Sequence, residues 1–189
     1  MSDGIMRALA YDGQVRVSAV ICTEAVETAR QRHDAFPTAI AALGRTMAST
    51  LLLSWGLKGE GHITLRSFGD GPLGGIITTA DADGNIKGYV QEPQTDLPLN
   101  HKGKLDVGGA VGPGILYVIK DLGMKEPYVG QTILVSGEIA EDLTYYYATS
   151  EQTPSSVALG VLMNKDNTVR QAGGFIIELM PGASEAVIF

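Results

Sequence analysis

The chain has 189 residues, 44% hydrophobic and 19% charged, enough for one domain with a sizeable core. A net charge of −7, with no run among the 14 basic residues, argues against nucleic acid or an anionic membrane surface as a partner. The single cysteine, Cys22, excludes an internal disulfide framework and a thiolate metal cluster within these residues, and the opening Met1-Ser2-Asp3-Gly4 has no signal-peptide pattern, so a cytoplasmic address is expected.

In chain order, residues 5–11 and 15–22 flank Asp12-Gly13, a dipeptide suited to a hairpin turn. Val15, Val17, Ala19 and Ile21 alternate with Arg16, Ser18 and Val20, which predicts that the first set forms the buried face. Thr23 offers a cap for a helix to about His33, and Thr38, just after Pro37, a cap for a long second helix. In that second helix Ile40, Leu43, Met47, Ala48, Leu51, Leu52 and Trp55 form a broad apolar stripe, with Arg45, Ser49 and Thr50 opposite. The polar residues interrupt residues 39–57 too often for a membrane span, so this run reads as a core helix.

Residues 62–68 alternate as a half-buried strand, and residues 76–80 and 86–91 continue an antiparallel meander across Asp81-Ala82-Asp83-Gly84-Asn85. Pro93 and Pro98 mark residues 92–102 as an extended surface loop, with a short strand at 104–107 after it. Residues 115–120 and 131–135 read as further strands.

Ser136 is the candidate N-cap of a helix in which Glu138, Glu141 and Asp142 favour the positive end of the dipole, and Ile139, Leu143 and Tyr146 or Tyr147 form the apolar stripe. Pro154 ends it. A hairpin follows, residues 156–163 and 168–179; both its faces carry apolar residues, which predicts two central strands. Pro181-Gly182 stops the sheet, and Ser184 can cap a new helix beginning at Glu185. The pattern predicts a single α+β domain whose mainly antiparallel sheet, bent or split, is packed by the helices near Glu24, Ala39 and Glu138.

The residues offer chemistry little. Gly69 to Gly75 and Gly108 to Gly114 invite a phosphate-cradling reading, but neither fits GxxxxGK[ST] or GxGxxG between a strand and a helix, and both read as tight turns at sheet corners. His33, His62 and His101 lack metal-ligand spacing, and Cys22 reads as a small buried hydrophobe. No catalytic, cofactor-binding or metal-ligating residue is assigned. An alternative, a small-ligand or nucleotide-binding enzyme, would use the glycine-rich turns with Asp70, Asp106 or Glu138 and needs a polar pocket with a titratable group of perturbed pKa. A third reading is a structural domain that only dimerises.

Several stretches resemble, in order along nearly the whole chain, one family: the redox-regulated bacterial holdase chaperones named as the thirty-three-kilodalton heat-shock protein. They are Ala41-Ala42-Leu43-Gly44-Arg45-Thr46, Gly69-Asp70-Gly71-Pro72-Leu73-Gly74, Gly88-Tyr89-Val90, residues 102–112, Lys125-Glu126-Pro127-Tyr128, residues 136–156 and Ala172-Gly173-Gly174-Phe175. The resemblance implies an ATP-independent chaperone that holds unfolding proteins and does no chemistry on them. It implies a homodimer, and a following arm and module whose four cysteines bind zinc when reduced and form disulfides when oxidised. On that reading residues 1–180 are the chaperone core and residues 181–189 the start of a truncated arm, without the zinc and cysteine switch. The client-binding residues remain unassigned.

Overall fold

The structure, a computed structural model, describes residues 2–184 and 186. Nine strands form two antiparallel sheets, so the predicted sheet is split rather than bent. The first takes β1 (Gly4–Ala10), β2 (Val15–Ile21), β8 (Ser155–Met163) and β9 (Val169–Leu179) in the order β1-β2-β9-β8. The second takes β3 (His62–Gly69), β4 (Gly75–Asp81), β5 (Ile86–Val90), β6 (Gly114–Asp121) and β7 (Tyr128–Ile133) in the order β5-β4-β3-β6-β7.

The helix α2 (Pro37–Ser54) packs against strands of both sheets and forms the centre of the core, with α1 (Thr23–His33) and α4 (Ala140–Thr149) beside it. Because α2 has neighbours on nearly every side, Ser49 and Thr50, predicted to face away from the core, are buried. Their hydroxyls donate back to the carbonyls of Arg45 and Thr46, and Thr50 also meets the Thr78 hydroxyl of β4 at 2.5 Å, so no polar atom of the pair is left without a partner. Gly44 lets the helix approach its neighbours: a Cβ there would lie 2.8 Å from both Val26 of α1 and Val161 of β8.

Most predicted elements stand, but their caps come from elsewhere. Asp3 caps α1, its carboxylate accepting from the amides of Glu24 and Ala25 at 3.0 and 2.8 Å, while the Thr23 hydroxyl turns to Ala172 of β9. Pro37 opens α2 at its first position, and Thr38 instead hydrogen-bonds Asp96 and Leu97 of the surface loop. Ser136 is not the cap of α4. Asp142, fully buried in the first turn, reaches back and accepts from the amides of Ser136, Gly137 and Ile139 at 2.9, 3.2 and 2.9 Å.

Three further expectations are corrected. The strand at residues 104–107 is absent: the short helix α3 (Val107–Val111) starts there, with the Asp106 side chain accepting from Gly109 N at 3.1 Å. In β2 Val15 is buried as expected, but so are Ser18 and Val20, whereas Val17, Ala19 and Ile21 lie on the opposite, half-exposed face. Of the last hairpin only β9 is central; β8 lies at the edge. The helix expected from Glu185 lies outside the described residues apart from Ala186.

Candidate functional site

The cross-strand register of the four-stranded sheet decides which side chains share a face. Met6, Ala19, Phe175 and Ala158 form one row across β1, β2, β9 and β8, and Ala8, Val17, Ile177 and Ser156 the next. Gly4, Ile21, Gly173 and Gly160 form a third, with Leu162 opposite Gln171 beyond it. Paired residues point the same way, and neighbours along a strand point oppositely. Ser18, Val20 and Ile176, one step along from these rows, are buried against the core, so the rows themselves face outwards.

No residue in these rows is charged, and Ser156 and Gln171 are the polar ones. Met6 is 68% exposed, Leu162 60%, Phe175 40% and Ile177 37%. Four strands about 4.8 Å apart and six or seven residues long make roughly 400 Å² of sheet face, comparable with the largest apolar patch of a typical monomer, which is often functional. Arg7, Arg16 and Glu178 of these strands lie on the inner side, and the exposed Arg170 sits at the bulged end of β9. Arg16 grips Glu178 through Nε and Nη2 at 2.7 and 2.5 Å, and Glu178 is almost wholly buried.

This face was hidden from the alternation pattern. A strand apolar on both sides reads as central in a covered sheet, so the Val157, Leu159, Val161 set and the Ala158, Gly160, Leu162 set of β8 both looked like core. The signal available was the nine-residue run SSVALGVLM, which carries no charge on either face.

The groups considered for ligand chemistry are committed to holding the fold. Around the first glycine-rich turn, the amides of Asp70, Gly71 and Leu73 donate to the carbonyls of Pro113, Val111 and Ala110 at 2.9, 3.0 and 3.0 Å, so backbone takes the donors that a phosphate would need. A Cβ on Gly71 would sit 2.3 Å from the Ala110 oxygen: the glycine is there to admit this strand-to-helix contact. The second stretch is partly α3 rather than a sheet-corner turn.

Asp106 caps α3, and Glu138 pairs with Arg45 Nη1 at 2.5 Å and accepts from Gly108 N at 3.2 Å, whereas Asp70 is exposed beside Gly112. Burial pushes the hydroxyls of Tyr146 and Tyr147 well above the usual phenol range, so neither is a phenolate at neutral pH. His33 Nε2 lies 3.0 Å from the Gly88 carbonyl, and His62 and His101 are exposed. Cys22 is buried at the start of α1; that burial, with the charge of Asp3, pushes its thiol up to about 12, so it is a poor nucleophile. Among the described residues no three His, Cys, Asp or Glu side chains come together as a metal site.

The sequence profile of the Hsp33 protein family matches residues 3–188. A 33 kDa chaperonin of Lachnoclostridium phytofermentans is 59% identical over 189 residues, which are 100% of this chain and 65% of that protein. One of Desulforamulus reducens is 55% identical over 188 residues, 100% of this chain and 64% of that protein. The crystal structure of a 33 kDa chaperonin, a heat shock protein 33 homolog, from Thermotoga maritima superposes with a TM-score of 0.89 at 44% identity, over 93% of this chain and 60% of that one. The chain therefore spans a little under two thirds of the length of these curated relatives.

Proposed function

This chain belongs to the Hsp33 family, and we propose that it holds unfolding polypeptides, without ATP and without chemistry on them, on the outer face of its four-stranded sheet. The observation that supports this reading is that face: uncharged rows running across four strands, with Arg7, Arg16 and Glu178 on the other side and the exposed Arg170 at the bulged end of β9. Apolar area removed from water stabilises association by about 25 cal/mol per Å². A few hundred square ångströms of it therefore retains an unfolded segment, whose own apolar side chains are exposed, and releases a refolded one that has buried them. Recognition is by surface rather than by sequence, as a holder of many clients requires.

The redox regulation and the zinc that the resemblance implies belong to this proposal as well. The described residues offer zinc no site, and the high pKa of Cys22 argues against its being the switch, so cysteines other than Cys22 would carry the response. In this reading a cover lies over the sheet face in the resting state and leaves it on oxidation. A homodimer acting in the cytoplasm is part of the same proposal. No described helix is long and apolar enough to cross a membrane.

Light scattering of a heat-denatured client tests the proposal. Equimolar chain is expected to suppress the rise in scattering. Scattering left unchanged, with no self-association of the chain to cover the face, overturns it. The enzyme reading is tested alongside by thermal unfolding with nucleotides, where no stabilisation is expected; a ligand that binds the native state would raise the midpoint by mass action.

A further inference from the structure

The sheet face uses side chains; the margin of the same sheet offers backbone. Among the outermost strands, β1 carries Arg7, β5 carries Lys87 and β7 has six residues, whereas β8 has nine, with neither charge nor proline. A strand with a neighbour on one side turns the N–H and C=O of alternate residues towards the open side, and proteins usually protect such a margin with charges or cover. The β8–β9 register shifts only between Leu162 and Met163, where Arg170 of β9 is left unpaired.

Beside it lies a groove of about 720 Å³, lined on one side by residues 159–163 of β8 and on the other by the surface loop, through Leu97, Leu99 and Leu105. Five residues of β8 correspond to about 16 Å of extended chain. The loop stands opposite these residues, so an occupant of the margin would lie between β8 and Leu97, Leu99 and Leu105. The groove wall also contains Arg45, whose Nη1 is held by Glu138.

We propose that the free margin of β8 and this groove accept an extended, uncharged segment of an unfolded polypeptide as a fifth strand of the sheet, held main chain to main chain. The proposal rests on the polypeptide-holding reading and gives it a second kind of contact. Backbone recognition is independent of sequence, and the added strand would lengthen the apolar face beside Gly160 and Leu162.

The experiment uses a labelled eight-residue peptide of alternating valine and serine, together with two versions N-methylated at the odd or at the even positions. Binding is read by fluorescence anisotropy, and protection of the β8 amides by hydrogen exchange. The unmodified peptide is expected to bind and to protect β8, and at least one methylated version to bind tenfold or more weakly. Equal binding of all three, absence of binding, or protection that misses β8 overturns the proposal. Protection of β8 that rises with protein concentration in the absence of peptide assigns the margin to a second copy and overturns it too.

Client scattering measured in parallel separates the two ideas. Suppression of aggregation with no β8 protection leaves the holding function and removes the strand site. Protection of β8 by the peptide without suppression removes the holding function and leaves the strand site.

Discussion

The two sheets bury one face each against the same helix, and their other faces differ row by row. Across the five-stranded sheet the outward rows are Lys87, Thr79, Thr64, Ile119 and Val129, then Tyr89, Ile77, Arg66, Tyr117 and Gln131, with Asp81, His62 and Asp121 at one end and the uncharged Gly75, Phe68, Ile115 and Ile133 at the other. Charges and hydroxyls are interspersed with the apolar side chains, as on an ordinary wetted antiparallel sheet. Across the four-stranded sheet the corresponding rows are Met6, Ala19, Phe175 and Ala158, then Ala8, Val17, Ile177 and Ser156. Antiparallel pairing and a largely buried inner side are shared, so neither accounts for the uncharged rows. A fold needs one apolar face per sheet, and the second one on the smaller sheet is surplus to folding, which is why function is assigned there.

The strongest way to break this comparison is to put the same change on both sheets. Phe175→Asp with Ile177→Asp places two carboxylates in the middle of the uncharged rows; Val129→Asp with Ile133→Asp places two on exposed positions of β7. Each large apolar side chain contributes about 1.5–3 kcal/mol when fully covered, so the first pair is expected to weaken capture of a labelled unfolded client by roughly 100-fold, which is about 2.8 kcal/mol. The β7 pair is expected to stay within about threefold. Both pairs are at exposed positions, so both variants should fold, and circular dichroism checks that before binding is measured. Equal losses from the two pairs would mean that the faces do not differ in function.

A second test separates holding the fold from holding a client. Asp142 serves the segment that leaves β7 of the larger sheet, and three backbone amides depend on its carboxylate in a fully buried setting. Asp142→Ala orphans all three, and losing hydrogen bonds of this charge-assisted kind predicts a fall in unfolding free energy of about 3 kcal/mol in urea titrations. Client affinity per folded molecule should be unchanged, since no part of the uncharged face is touched. A variant that loses affinity while remaining folded would tie the two sheets together more closely than the comparison allows.

Legibility in the sequence followed the range of the interactions. Elements fixed by neighbours along the chain, such as the hairpin around Asp12-Gly13, the long helix after Pro37 and the strand from His62, could be read from periodicity and turn chemistry. Caps supplied from afar could not: Asp3 lies some twenty positions before the amides it serves, and Thr38 was taken up by Asp96. The same limit hid the site. Whether Val17 or Val20 faces the core depends on which side of the sheet α2 occupies, a fact of tertiary packing that no strand carries within itself. Two apolar faces in β8 were therefore assigned to the interior, when one of them is at the surface. The carboxylates Asp106 and Glu138 looked available because their partners, Gly109, Gly108 and Arg45, are set by the turn into α3 and by the α2 contact.

The smallest expected effect concerns pH and acts on the four-stranded sheet. Glu27 of α1 is held down at about 2, first by the guanidinium of Arg30 and then, against the opposing effect of partial burial, by the Val169 amide of β9. Its ordinary value is about 4.3. A carboxylate with a depressed folded pKa contributes stability that is fully present above the unfolded value and is lost as pH falls through the folded one. The contribution of Glu27 is therefore complete at pH 6–7, declines below about 4.3 and is gone near pH 2. Glu27→Gln removes the titration, so the stability difference between the parent and the variant should shrink over that interval in denaturant titrations taken from pH 7 downwards. Hydrogen exchange at Val169 should accelerate in the parent over the same range while β3 and β4, which this carboxylate does not touch, keep their protection relative to the variant. A difference that stays constant with pH would show that Glu27 does not clamp α1 to the smaller sheet, leaving apolar packing and the hydrogen bonds of Cys22 and Thr23 with Ala172 to hold them together.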